Sequence, residues 1–207
     1  LHGSSAASDV YKRQAVDDYI NKKFNGPCFC QLSVTDYIRK KDKKPFKQEE
    51  YFSNPEAFQS NFDMFSDKTD ILINAAYWDP RSPRLFEEDD INENFKPKII
   101  GDISCDINGA VPCTKKASTI EKPFFDYCIK TKKIEEPFNK EDNITIMSID
   151  NLPSELPRDS SRYFGNILVE KILPLLSLEG NKIIENATIT KNGELTEKFK
   201  YLSDYII

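Results

Sequence analysis

Histidine is almost missing from this 207-residue chain, whose single copy is His2. An imidazole-based triad, metal site or acid/base step therefore has little to draw on. Glycine is also scarce, at seven residues, and neither GxGxxG nor GxxxxGK[ST] occurs anywhere in the sequence. On motif alone, the chain is not assigned to nucleotides. No apolar run approaches the ~20 residues of a bilayer-spanning helix, so no membrane association is expected. The five cysteines (Cys28, Cys30, Cys105, Cys113 and Cys128) are odd in number and lack paired CxxC spacing. Neither a disulfide framework nor a metal site is favoured, and reduced thiols in a cytoplasmic setting are expected. Positive charge is in deficit, with 29 basic against 34 acidic residues and a formal charge of -5. Nucleic acid is accordingly not an expected partner.

The sequence is 39% hydrophobic, 30% charged and 12% aromatic, the profile of a globular protein, and its length suits one large α/β domain or two small ones. It opens on Leu-His-Gly, and residues 4–14 read SSAASDVYKRQ, which resembles the translation of a transposon-end sequencing adapter. Residues 1–14 are therefore read as an adapter artefact and set aside. The remainder reads as the tail end of a longer protein. Without Asp9, Lys12 and Arg13 it holds 27 basic and 33 acidic residues, a net -6, and it contains no histidine.

Residues 15–24 have helical composition and stop at Asn25-Gly26-Pro27, a helix-end signal. Residues 28–34 are short and strand-like. RKKDKKPFKQEE (39–50) reads as a solvated connection of mixed sign. Asn54-Pro55 offers an N-cap and first-turn proline, after which Phe58, Phe62 and Phe65 fall at i, i+4, i+7, predicting a helix that presses one aromatic face on a core. Residues 71–73, 98–103 and 144–148 are brief continuous apolar runs, the signature of strands covered on both faces. A short helix fits residues 87–94. Strands separated by helical segments predict an α/β fold with a parallel sheet. Beyond Pro157, Phe164, Ile167, Leu168, Ile172, Leu175 and Leu176 keep helical spacing despite Pro174. The chain closes with residues 183–190, an Asn192-Gly193 turn, and a helical stretch around Phe199 and Leu202.

In open parallel sheets, ligands bind where the strands end. Tyr77-Trp78-Asp79-Pro80, Ser104-Cys105-Asp106 (with Asp102 inside the strand end) and Ile149-Asp150-Asn151-Leu152-Pro153 follow the three runs. Carboxylates, amides and aromatics meeting in one crevice suit a ring-bearing cofactor beside a polar substrate. Each has a plainer reading. Asp102 and Asp106 serve equally well to cap a turn before Asn108-Gly109, Asp150-Asn151 as a helix N-terminal turn, and Trp78 as core. The sequons at Asn143 and Asn186 read as chance, and Cys28-Phe29-Cys30 as strand interior.

DILINAAYWDPRSPRLF (70–86), KIIGDISCDINGAVPCTKKASTIEKPFF (98–125) and ITIMSIDNLPSELPRDSSRYFGNILVEKILPLL (144–176) resemble the C-terminal half of lysine-forming saccharopine dehydrogenase and the lysine-ketoglutarate reductase domain of bifunctional enzymes. The wider kinship is with alanine dehydrogenase and the transhydrogenase α-subunit. The resemblance is good over 70–205 and weak over 15–69. It implies a Rossmann-like parallel sheet forming the C-terminal part of a two-domain dehydrogenase, with the N-terminal half missing: residues 15–156 as a partial dinucleotide-binding domain and 157–207 as a segment returning to the absent substrate domain. The implied cofactor is NAD, with NADP as the alternative, and no metal is needed. Asp36, 21 positions past Ala15, is the implied ribose-binding acid. Tyr77 and Ile103 would touch the cofactor, Ile149, Asp150, Asn151 and Leu152 would wrap the nicotinamide end, and Ser104, Cys105 and Asp106 would line the substrate side. No catalytic residue falls within the chain, since the family's acid/base Lys and His belong to the other half. The implied reaction interconverts saccharopine with L-lysine and 2-oxoglutarate. Arg84 is a candidate carboxylate partner, or else an ion-pair partner of Asp89 or Asp90. An alanine-dehydrogenase-like enzyme and a non-catalytic dinucleotide sensor remain the alternatives.

Overall fold

The structure, a computed structural model, describes residues 12–205 as two compact units, one ending at Asp150 and the other beginning at Asn151. Of the adapter-like segment, residues 1–11, His2 included, lie outside the described residues. Its last three, Lys12–Gln14, form strand β1, which pairs in parallel with β2 (Cys28–Cys30). Between them the helix Val16–Asn21 fills the middle of the stretch expected to be helical and gives way to extended backbone at Lys22.

In the first unit, β3 (Ile38–Lys40) and β4 (Phe58–Ser60) form an antiparallel pair. A five-stranded sheet follows, in the order β5 (Ile71–Asn74), β6 (Ile99–Asp102), β9 (Ile144–Met147), β7 (Phe124–Cys128) and β8 (Lys133–Glu135). The isoleucine-rich segments β5, β6 and β9, whose β-branched side chains stiff at χ1 suit an extended, packed backbone, pair in parallel. Their registers set Leu72 beside Ile100 and Ile100 beside Ile146 on the buried face, with Asn74 beside Asp102 one step further along. Strands β7 and β8 are antiparallel, so the sheet is mixed, a form common where an α/β sheet carries an antiparallel edge.

Several expectations are corrected. Residues 54–66 are not one helix: a 3-10 turn (Pro55–Ala57), β4 and a one-turn helix (Asp63–Ser66) replace it. Phe58, Phe62 and Phe65 are nonetheless all buried, because the i, i+4, i+7 pattern registers burial without fixing the backbone that achieves it. Strand β5 is covered on one face only, with Ile71 52% and Ile73 66% exposed. Residues 39–50 are not wholly solvated either: Lys40 is buried in β3, where its ammonium meets Glu50 at 2.6 Å. The short helix at 87–94 is a 3-10 turn, Glu88–Asp90. The core lies beneath the sheet, where Phe62 stacks on Phe86 at 5.9 Å and Phe86 meets Phe95 at 4.8 Å.

The second unit is helical, from Pro157–Ile167 through Leu168–Ile172 to Leu173–Leu176, then Lys182–Ala187. Leu173 N–H donates to Leu168 O five residues back. This widened π turn just before Pro174 relieves the clash between a mid-helix proline ring and the carbonyl four residues earlier. The expected Asn192-Gly193 turn joins β10 (Thr190–Lys191) to β11 (Glu194–Leu195), both turn residues having positive φ (55° and 84°), as a type I′ hairpin requires. None of residues 151–205 is buried. Tyr163, Phe164, Leu173 and Leu176 are all exposed.

Candidate functional site

The parallel strands β5, β6 and β9 end side by side, and hydrogen bonds lace their ends together. Ile103 N–H donates to Asn74 O at 2.8 Å, Ser104 Oγ to Ala76 O at 2.6 Å and Cys105 Sγ to Ser148 O at 3.1 Å. Beneath this rim, Asp102 accepts from Asn74 Nδ2 at 2.9 Å and from Thr114 Oγ1 at 2.6 Å, and only 1% of its surface is exposed. Asp102 is thus the buried tie between two strand ends and the returning loop, and it does not cap the Asn108-Gly109 turn.

Asp106 behaves differently. Its backbone carbonyl accepts from Gly109 N–H at 2.8 Å to close the turn, yet its half-buried carboxylate makes no hydrogen bond or ion pair among the described residues. Burial, and then the nearby Asp102 charge, raise its pKa from the ordinary aspartate value. Burial likewise raises the Cys105 thiol, with Asp150, Asp102 and Asp106 adding to the effect. The strand ends therefore form an acidic rim. Gly109 allows the turn its tightness: a Cβ there would stand 2.4 Å from Asp106 Cβ and 3.1 Å from Trp78 Cε3. Trp78 packs over this glycine, half-buried, and its indole N–H is shielded from solvent without a partner among the described residues. The adjacent Tyr77 is 87% exposed, presenting an open ring at the end of β5.

Tyr77, Ile103, Ser104, Cys105, Asp106, Ile149 and Asp150 thus follow the three neighbouring strands. Asn151 and Leu152 fall in the second unit, where Leu152–Glu155 is a 3-10 turn and the Asn151 side chain makes no capping bond. Asp36 closes a capping box with Ser33, accepting from its N–H at 2.7 Å and its hydroxyl at 2.6 Å. A separate groove of about 670 Å³ runs between β2 and β5, lined by Cys30, Leu32, Leu72, Asn74 and Ala76 among others. Arg84 pairs with Glu87 at 2.8 Å, not with Asp89 or Asp90, and is already neutralised on one side. Asp79 and Arg81 form a two-pronged pair at 3.0 and 2.9 Å that lowers the Asp79 carboxyl to about 2. The sequon residue Asn143 is buried and donates to Glu135 and Asp126. Among the described residues, no group of three or more His, Cys, Asp or Glu is placed to hold a metal ion.

Sequence reasoning missed Lys115, Glu88 and Thr114, which hold the loop behind the rim. For Thr114 and Lys115 the only sequence signal is position a few residues after the DISCD segment, and Glu88 lies well before it, since an isolated Lys, Thr or Glu carries no motif.

Parallel strands with covering elements, and polar and aromatic residues gathered where those strands end, define a Rossmann-like α/β domain. The chain belongs to the family "Alanine dehydrogenase/PNT, C-terminal domain", which matches residues 12–200. It is 31% identical over 199 residues to the mitochondrial alpha-aminoadipic semialdehyde synthase of Mus musculus, covering 83% of this chain and 21% of that protein. It is 29% identical over 183 residues to alpha-aminoadipic semialdehyde synthase of Arabidopsis thaliana, covering 84% and 17%. Against the NAD(+), L-lysine-forming saccharopine dehydrogenase of Schizosaccharomyces pombe it is 28% identical over 126 residues, covering 59% and 30%. The chain thus spans about a fifth of the length of the first of these relatives.

Proposed function

We propose that this chain is the dinucleotide-binding part of an oxidoreductase that interconverts saccharopine with L-lysine and 2-oxoglutarate, using NAD or NADP. The observation that carries the reading is Asp106: a half-buried carboxylate with no partner among the described residues, at the end of a parallel strand, in a chain of this family. A partner-free carboxylate in a semi-enclosed rim is costly to keep for structure alone and is suited to accept a hydrogen bond from a cationic amine.

The residues at the rim fit the nicotinamide end of such a cofactor. Tyr77 offers an open ring, Ile103 a partly exposed apolar surface, and Asp150 an exposed polar group after β9. A glycine-rich phosphate loop is not among this sequence's residues, so the pyrophosphate has no equivalent cradle here. When bound, the cofactor supplies a hydride acceptor for the C–H beside the secondary amine. The chain's own part is to orient the amine through Asp106 while Ser104 and Cys105 shape the wall. Loss of hydride from that carbon and of the amine proton leaves an imine, which water cleaves to lysine and 2-oxoglutarate.

On this reading, residues 1–207 alone bind dinucleotide weakly and turn nothing over. The decisive assay uses the complete enzyme: lysine with 2-oxoglutarate should drive NADH or NADPH oxidation. Turnover of pyruvate with ammonia instead would replace this reading with an alanine-dehydrogenase-like one.

A further inference from the structure

The Asp106 turn is held from outside by a residue that touches none of the proposed ligands. Asn108 stands at φ 54°, in the left-handed region that asparagine tolerates better than most side chains, and two bonds fix it there. Its N–H donates to Thr114 O at 2.8 Å, and its Oδ1 accepts from Lys115 Nζ at 2.8 Å. Lys115 also pairs with Glu88, and its ammonium lies 5.7 Å from the centre of the buried Tyr127 ring. An ammonium has three N–H directions. Glu88 and Asn108 each take one of them, and the Tyr127 ring lies alongside, so the ammonium is committed to holding this loop. Glu88 is in turn shared with Lys132, which also reaches Asp89 at 3.0 Å.

We infer that Lys115 is a positioning residue for Asp106: by gripping Asn108 it fixes the Asp106–Gly109 turn in the one arrangement that presents the Asp106 carboxylate at the rim. This rests on the reading of Asp106 given above. Loss of the grip frees Asn108 to leave the left-handed region, and the carboxylate two residues away moves with it. Displacement of a positioning group by an ångström is enough to cost a large factor in rate.

The test uses the complete enzyme in five forms: parent, Lys115→Met, Lys115→Arg, Asn108→Gly and Lys132→Met. Asn108→Gly keeps the left-handed backbone accessible while removing the tether, so it reports even where Lys115→Met fails to fold. Lys132→Met loosens the Glu88 cluster without touching Asn108. The expected result is a fall of about tenfold in kcat for Lys115→Met and Asn108→Gly, with dinucleotide KM little changed, Lys115→Arg partly restoring the rate, and Lys132→Met near parent. Amide hydrogen exchange at residues 106–109 should quicken in Lys115→Met and Asn108→Gly only. Parent-like exchange there in Asn108→Gly, or rate losses in Lys132→Met equal to those of the tether variants, overturns the proposal. Should the parent show no saccharopine turnover, the functional reading fails by itself, and the exchange measurement still decides the role of Lys115.

Discussion

Thr114 donates its hydroxyl proton to one oxygen of the buried Asp102 at 2.6 Å, and Asn74 meets the other at 2.9 Å. These bonds join the ends of β5 and β6 to the chain returning after the Asp106 turn. Thr114→Val keeps the shape and removes the donor from a carboxylate that water does not reach. Leaving a buried charged acceptor short of a partner costs about 2–3 kcal/mol. Urea unfolding followed by circular dichroism should show a lowered midpoint of that size with an unchanged slope.

Asp106→Asn separates function from stability. Burial and Asp102 raise the folded-state pKa of this carboxyl, so the native state holds its proton more firmly than the unfolded chain does. The charged form therefore carries a cost at neutral pH, and that cost fades as pH falls through the raised pKa toward the ordinary carboxylate value. Asparagine carries no such cost. The variant should be slightly more stable than the parent at pH 7, with the difference closing on acidification, while turnover of the complete enzyme falls tenfold or more and dinucleotide affinity stays put. Thermal melts across pH 4–8 beside kinetics check both halves. Equal turnover would return Asp106 to a purely structural turn residue.

The parts that were legible in the sequence are those where one residue type does one job. Ile71–Asn74, Ile99–Asp102 and Ile144–Met147 announce themselves because a run of β-branched residues has few other uses. The Asn192-Gly193 turn was legible because few other pairs accept two positive φ angles. Strand β7 was not, since FFDYC mixes three aromatics with an aspartate whose role depends on residues ten or more positions away. Asp126 is fully buried and accepts from Thr145 Oγ1 at 2.7 Å and from the N–H groups of Phe138 and Asn139 at 3.1 and 3.2 Å. Such a partner set comes from tertiary structure and leaves no local pattern. At the site, the strand-end residues followed from topology, whereas the Lys115 grip on Asn108 depends on a loop closing on itself.

Asp126 itself yields a third expectation. Asp126→Ala leaves the buried Thr145 hydroxyl and the part-buried N–H groups of Phe138 and Asn139 without their acceptor, while Asn143 keeps Glu135. Each unsatisfied donor costs about 1–3 kcal/mol, so the loss should exceed that of Thr114→Val and leave the protein largely unfolded or insoluble at 37 °C. Soluble yield and the denaturant midpoint, measured side by side for the two variants, give the order.

Two glycine substitutions of equal chemical size should act in opposite directions. At Gly109 a methyl group would fall 2.4 Å from Asp106 Cβ and 2.9 Å from Asp106 O, with Trp78 Cε3 at 3.1 Å on the other side. Two of those three atoms belong to the fixed frame of the turn, so the turn must open or the indole must lift. Overpacking of this kind costs about 1–3 kcal/mol. Trp78 is the only tryptophan, so its emission reports the displacement directly. Gly165 lies within the helix Pro157–Ile167 with no atom within 4 Å of the added carbon. There the methyl meets no obstacle, and removing glycine's backbone freedom favours the helix by about 0.5–1 kcal/mol. Gly109→Ala should therefore shift tryptophan emission and lower the melting temperature, whereas Gly165→Ala should leave emission alone and raise helical content. An unshifted spectrum in Gly109→Ala would mean that Trp78 does not pack on the Asp106 turn, and the tight rim at the end of β6 would have to be redrawn.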